Sequence, residues 1–164
     1  MRSREERVEP ERERSILCSR TAKYTIRAFV HLAGLRKGAF ATNKDIARLE
    51  NLPAPHMSKI LQYFARTGVL RSVKGPTGGF ALDLDPSEIR LLDIVGPLDG
   101  LVMYRRCITG LAKCSEDMPC SMHDSWASLR SEILAYMERT TIADLARALE
   151  LKRRAIGKSR PAKG

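Results

Sequence analysis

The chain has 164 residues, a hydrophobic fraction of 43 % and a formal net charge of +10. That length suits one domain with an appendage, and that composition can fill a core. No run approaches the roughly 18 continuous apolar residues of a membrane span, and the opening MRSREERVEPERERS lacks the apolar stretch of a signal peptide, so a cytoplasmic protein is expected.

Residues 1–14 carry five Arg and five Glu without apolar periodicity, which reads as a disordered extension. Residues 15–90 carry a net charge of +7, residues 91–150 a net −3, and residues 151–164 six basic groups and no acid. A basic folded segment suits a polyanion, most often nucleic acid, although an ordinary solvated surface has the same composition. The last segment reads as a flexible basic tail.

Within the first segment, Thr21 to Arg36 has Ile26, Phe29, Val30 and Ala33 at helical spacing, and Gly38 should end that helix. Thr42 is a predicted N-cap with Asp45 three residues on, a variant of the capping box. Ile46, Ala47 and Leu49 give the next helix a short apolar face. A tight turn follows at Glu50-Asn51-Leu52-Pro53, and Pro55 can open a third helix. There Met57, Ile60, Leu61 and Phe64 share a face, and Gly68 stops the run. Two short helices around a tight turn make a helix-turn-helix. The period then changes. VLRSV at 69–73 and FALDL at 80–84 read as strands, with Phe80, Leu82 and Leu84 on one face. The turn formers Lys74 to Gly79 join them into a hairpin.

Ile89 to Val95 reads as a short helix broken at Gly96-Pro97. Residues 97–124 look irregular and hold Cys107, Cys114, Cys120 and His123, spaced Cys-x6-Cys-x5-Cys-x2-His. Ser125 to Arg139 reads as a long amphipathic helix carrying Trp126, Leu129, Ile133, Tyr136 and Met137, with Ile142 to Leu149 continuing or flanking it. The expected fold is mainly α with a small β-hairpin. It comprises a winged helix-turn-helix over 15–96, a cysteine-rich loop over 97–124, a dimerisation helix region over 125–150, and a basic tail over 151–164.

If Met57, Ile60, Leu61 and Phe64 face the core, then His56, Ser58, Lys59, Gln62, Tyr63 and Arg66 face outward. The first residues of such a helix meet base edges in the major groove. Arg71 and Lys74 flank the hairpin loop and suit phosphate or the minor groove, while Gly75, Gly78 and Gly79 would let the backbone come close. Arg20 and Lys23, at the start of the first helix, suit phosphate. Some of these residues are expected to be merely solvated.

Clustered thiolates favour iron–sulfur clusters, zinc or copper(I). The spacing lacks the CxxC pair of most structural zinc sites. A thiol/disulfide switch is the metal-free alternative. The remaining cysteine, Cys18, reads as a small buried or half-buried residue, His31 as a surface or core histidine on the first helix, and Trp126 as a packing anchor. No nucleotide-binding glycine pattern and no nucleophile–base constellation is present, so an enzyme is not expected, and an electron carrier is a remote alternative.

Taken together, several separated features resemble the Rrf-type winged-helix regulators, which include IscR- and NsrR-like iron–sulfur proteins. They are Tyr24 and Arg27-Ala28; Asp45-Ile46-Ala47; Leu61 through Gly68-Val69-Leu70; the hairpin Arg71-Ser72-Val73-Lys74-Gly75-Pro76-Thr77-Gly78-Gly79-Phe80; and the cysteine cluster ending in Cys120-x-x-His123-x-x-Trp126. The resemblance spans about Ile16 to Leu149. It implies a homodimeric transcription factor of the bacterial nucleoid, usually a repressor, that binds a palindromic promoter operator. It also implies an iron–sulfur cluster, 2Fe-2S in preference to 4Fe-4S, on Cys107, Cys114 and Cys120. The fourth ligand in IscR-like members is a histidine placed as His123 is. Some NsrR-like members use an aspartate on the first helix of the partner subunit instead, and the matching position here is Lys23, which cannot ligate in that way. The first cysteine gap, x6, departs from the common x5. Cluster status, iron level, redox stress and nitric oxide all fit as the signal.

Overall fold

The computed structural model describes residues 18–50, 53–75, 78–104, 107, 117 and 119–158. The expected extension at 1–14 and Cys114 lie outside the described residues.

The described elements run α1 (Arg20–Ala33), α2 (Asn43–Leu49), α3 (Ala54–Arg66), β1 (Leu70–Val73), β2 (Gly79–Leu82), α4 (Leu91–Asp99), a 3-10 turn (Leu101–Tyr104), α5 (His123–Arg139) and α6 (Ile142–Lys158). The chain is thus mainly helical with one two-stranded hairpin. α1 is the central helix. Ala22, Thr25, Ala28, Phe29 and Leu32 are buried along it, and it touches α4, α6 and β2. Phe29 meets Phe64 of α3 edge to face, with ring centroids 5.0 Å apart. Each ring is fully buried, and removing such a side chain from water contributes roughly 1.5–3 kcal/mol.

Local chemistry explains the helix starts. Ser19 accepts a hydrogen bond from Ala22 N–H and begins α1. Thr42 Oγ accepts from Asp45 N–H at 3.1 Å and donates to the Asp45 carboxylate at 2.7 Å, so the two side chains cap α2 through the hydroxyl. A Thr-x-x-Asp pair also begins α6, and there the reciprocal box is complete: Thr141 N–H donates to the Asp144 carboxylate at 3.0 Å and Asp144 N–H to Thr141 Oγ at 3.2 Å. Pro55 sits in the first turn of α3, where its missing N–H costs nothing.

β1 and β2 pair antiparallel, Leu70 opposite Leu82 and Val73 opposite Gly79. Ala41 adds a one-residue bridge to Phe80, with bonds of 2.9 and 3.0 Å in the two directions. Close backbone approach accounts for two adjacent glycines, the bridge for Gly79 and the first hairpin strand for Gly78. A Cβ on Gly79, whose φ is +155°, would lie 2.2 Å from the Ala41 carbonyl oxygen, and one on Gly78 would lie 2.2 Å from that of Val73.

Several expectations are corrected. α1 ends at Ala33 with Gly34 as its cap, short of Arg36 and Gly38. β2 ends at Leu82, so Leu84 is exposed and not part of the strand's apolar face. The helix expected to break at Gly96-Pro97 runs through it to Asp99. Pro97 lacks an N–H for the Asp93 carbonyl and its ring crowds that carbonyl, a cost that falls in the last turn of the helix and is offset by burial of Leu91, Ile94 and Val95. The long helix begins at His123, not Ser125. The basic segment after residue 150 is helical through Lys158 as the second half of α6.

The region assigned to dimerisation is also tied into the winged-helix part. Leu91 N–H donates to the Thr140 carbonyl, and Ile142 N–H to that of Ile89, both at 2.9 Å. Met137 and Ile142 belong to the same buried cluster as Phe29 and Phe64.

Candidate nucleic-acid interface and metal centre

α3 buries Met57, Ile60, Leu61 and Phe64. His56, Lys59, Gln62, Tyr63 and Arg66 are exposed and Ser58 is half-buried. The expected outward set is therefore on one helix surface. Gln62 Nε2 donates to Ser58 Oγ at 3.2 Å, and the Tyr63 ring lies edge-on to Phe64 at 5.1 Å. These contacts hold polar groups in place along the exposed stripe.

The hairpin projects from the same unit. Lys74 and Gly75 are exposed at its tip, next to residues 76–77, which lie outside the described residues. Gly78 and Gly79 sit against the protein's own backbone at Val73 and Ala41, which gives them a structural reason of their own. Arg71 lies over the Phe40 ring, 5.4 Å from its centroid, and 4.0 Å from Asp83 Oδ1. Those contacts brace the base of the hairpin.

Arg20 and Lys23 are elsewhere, on the first turn of α1. That turn is anchored by a 2.7 Å hydrogen bond from Ser19 N–H to Asp99 Oδ2 at the end of α4. The cysteine segment starts there. Tyr104 is buried, and its hydroxyl is pushed up to about 12 by burial first and then by Cys18 and Asp99 nearby. Three residues later Cys107 is only 6 % exposed.

At the other end of the segment, Cys120 is exposed and His123 half-buried. One turn joins them, closed by a 3.0 Å bond from His123 N–H to the Cys120 carbonyl. His123 is the first residue of α5, and Trp126, one turn on, is half-buried. Among the described residues no three His, Cys, Asp or Glu side chains converge on one metal-sized point. Cys114 lies outside the described residues, and of the other three expected ligands Cys120 and His123 are linked by a backbone turn.

A pair that sequence reasoning missed links α1 to the end of α2. Arg27 Nε of α1 stands 2.8 Å from Glu50 Oε2 at the end of α2. The two are 23 positions apart and obey no helical or strand period, so nothing local signals them.

Among the described residues no helix is long and apolar enough to cross a membrane. A family model described as "Rrf2: Iron-dependent Transcriptional regulator" matches residues 18–148. An Aquifex aeolicus protein assigned as a helix-turn-helix transcriptional regulator is 35 % identical over 132 residues, which covers 79 % of this chain and 91 % of that protein. The solved structure of CymR, the global cysteine regulator of B. subtilis, superposes with a TM-score of 0.68 at 23 % identity over 82 % of this chain and 98 % of CymR. T. potens IscR does so at 0.61 and 21 % identity, over 89 % and 92 %. The winged helix-turn-helix and these matches agree: the chain belongs to the Rrf2 family of transcriptional regulators, which are not enzymes.

Proposed function

We propose that this protein is a homodimeric DNA-binding regulator, a repressor, whose operator affinity is set by an iron–sulfur cluster at Cys107, Cys114, Cys120 and His123. The observation that carries this reading is the path of the chain. The Ser19–Asp99 bond ties the first helix of the DNA-reading unit to the end of α4, the cysteine segment leaves from that point, and it ends on the first turn of α5.

The donor set fits the group. Three thiols and an imidazole are soft, cluster-type ligands. Cys107 lies in a water-poor place and Cys120 with His123 in a single turn. When bound, an iron–sulfur cluster supplies a redox-labile tie among these side chains. Holding His123 and Cys120 close to Cys107 would draw the start of α5 toward the end of α4 and bias the spacing of two recognition helices, a shift of population rather than a new fold. Lys59, His56, Ser58, Gln62 and Tyr63 would read or approach the duplex from α3, with Lys74 and Gly75 at the hairpin and Arg20 and Lys23 at phosphate.

α5 supports the dimer. Leu129 is 48 % and Tyr136 52 % exposed, beside a cleft of about 350 Å³ lined by Ile26, Leu91, Val95 and Ile133 among others. A second copy covering this face with its own α5 would match the symmetry of a palindromic operator.

Anaerobically purified protein should be coloured and carry iron and sulfide. Exposure to oxygen or nitric oxide should change both the spectrum and duplex binding, and Cys114→Ala should abolish that response. Colourless protein with stoichiometric zinc would overturn the cluster reading. So would a reversible Cys107–Cys114 or Cys114–Cys120 disulfide, found by non-reducing mass spectrometry, that alone tracks DNA affinity.

A further inference from the structure

Among the described residues two polar side chains belong to buried residues, Thr25 and Glu50. Thr25 is explained by its own helix, since its hydroxyl donates to the Thr21 carbonyl at 2.8 Å. Glu50 is not. It caps α2 and is the first residue of the turn into α3. Its side chain is 6 % exposed, while that of its partner Arg27 is 64 % exposed. Glu50 Oε2 accepts no aligned hydrogen bond among the described residues, although Arg27 Nε stands 2.8 Å away. The contact is therefore an ion pair rather than an aligned hydrogen bond, and it fixes a distance between the two side chains.

Such a pair is a weak source of stability. Burial pushes the Glu50 carboxyl above its ordinary value, and Arg27 lowers it by less. Taking the carboxylate out of water thus costs more than the guanidinium returns, and a neutral side chain of the same shape would fold at least as well. A buried charge that adds so little stability calls for another role, and the surroundings of Glu50 supply one.

α3 meets α1 through apolar contact, Phe64 on Phe29. Apolar contact is non-directional, so it allows α3 to roll or slide. Two polar ties restrict that freedom. At the start of α2, Asn43 Nδ2 donates to the carbonyl of Ala54, the first residue of α3, at 2.8 Å. At the end of α2, Glu50 is held to α1 by Arg27. Both ends of the short helix are thereby referenced to its neighbours. α1 is also the helix whose cap is bonded to Asp99.

We propose that Arg27 and Glu50 form a positioning pair that sets the pose of α3 on α1, so that duplex affinity depends on the pair and folding does not. This rests on the reading of α3 as the DNA-binding helix.

The test uses the full chain and a duplex enriched from a random-sequence pool by the wild-type protein. Glu50→Gln keeps the shape and removes the charge. Its thermal midpoint should equal or exceed that of wild type, while its affinity for the enriched duplex falls by about tenfold. The dependence of affinity on salt should be unchanged, because no phosphate contact is lost. Arg27→Gln added to Glu50→Gln should cause no further loss, and Arg27→Lys alone should retain most of the affinity. The proposal is overturned if Glu50→Gln binds as wild type does, or if its affinity falls only in step with its thermal midpoint. It is also overturned if Arg27→Gln in the Glu50→Gln background shrinks the salt slope by about one, which would mark Arg27 as a phosphate contact. A wild-type protein that enriches no duplex would instead remove the DNA reading beneath it.

Discussion

Asp99 Oδ2 accepts a 2.7 Å hydrogen bond from the backbone N–H of Ser19, across 80 positions of sequence. It joins the residue that begins α1 to the residue that ends α4. Asp99→Ala leaves Ser19 N–H without this acceptor and loosens the start of α1. A stability loss of about 1 kcal/mol is expected, measured by urea unfolding. If the bond also relays the state of the cysteine segment, the variant should bind duplex equally with and without oxidant.

The Thr42 hydroxyl first, and the Arg48 guanidinium behind it, hold the Asp45 carboxyl below its ordinary 3.8. A carboxyl lowered in the fold contributes stability above its unfolded value and loses it as pH falls through the folded one. Asp85 and Asp144, lowered mainly by Ser87 and Thr141, act in the same sense. Glu50 acts in the opposite sense. Burial raises it, so its contribution improves as pH falls through its folded value toward 4.5. Thr42→Ala should cost about 1 kcal/mol at neutral pH through loss of the cap. Unfolding midpoints measured down to about pH 3 should show that gap narrowing as Asp45 protonates.

Gly79→Ala places a methyl group 2.2 Å from the Ala41 carbonyl oxygen at a φ of +155°. The bridge between Ala41 and Phe80 must open to accommodate it. A loss of more than about 2 kcal/mol is expected, with hydrogen exchange accelerating first at Ala41 and Phe80. A wild-type exchange pattern at these two amides would contradict the geometry.

Lys59 is exposed on α3. Lys59→Ala should leave thermal stability unchanged and weaken duplex binding. If Lys59 contacts phosphate, the slope of log affinity against log salt should fall by about one. If it reads a base edge, the slope should hold while discrimination between duplexes relaxes.

Leu129→Asp puts a charge on the apolar outer face of α5, where Leu129 is 48 % exposed. In a monomer the change should be nearly silent. In a dimer that buries this face, sedimentation should show dissociation, and affinity for a palindromic duplex should fall far more than affinity for a half-site.

Much of the local architecture was legible in the sequence. Thr42 and Asp45 announce a capped helix start, and the spacing of Met57, Ile60, Leu61 and Phe64 assigns the buried face of α3. The same spacing leaves His56, Lys59 and Gln62 outside. These features depend on neighbours within one or two turns, so periodicity and capping determine them. The spacing of Cys120 and His123 along the chain was equally visible, and the structure adds that one backbone-bonded turn joins the two.

Where distant parts of the chain compete with a local signal, the sequence misled. Gly96-Pro97 is a local stop, yet α4 continues because Ile94 and Val95 lie in a core shared with α1, α3 and other distant parts of the chain. The basic run after residue 150 looks like a tail, yet it extends a helix that begins in that core at Ile142. The pairing of Arg27 with Glu50, and of Ser19 with Asp99, exists only once α1 is brought against α4 and beside the end of α2. Sequence alone determined which residues can cap, turn, bury or ligate, because those properties belong to side chains and their near neighbours. Tertiary structure alone decided which of them meet, because burial outweighs local preference and contacts between distant residues carry no period to betray them.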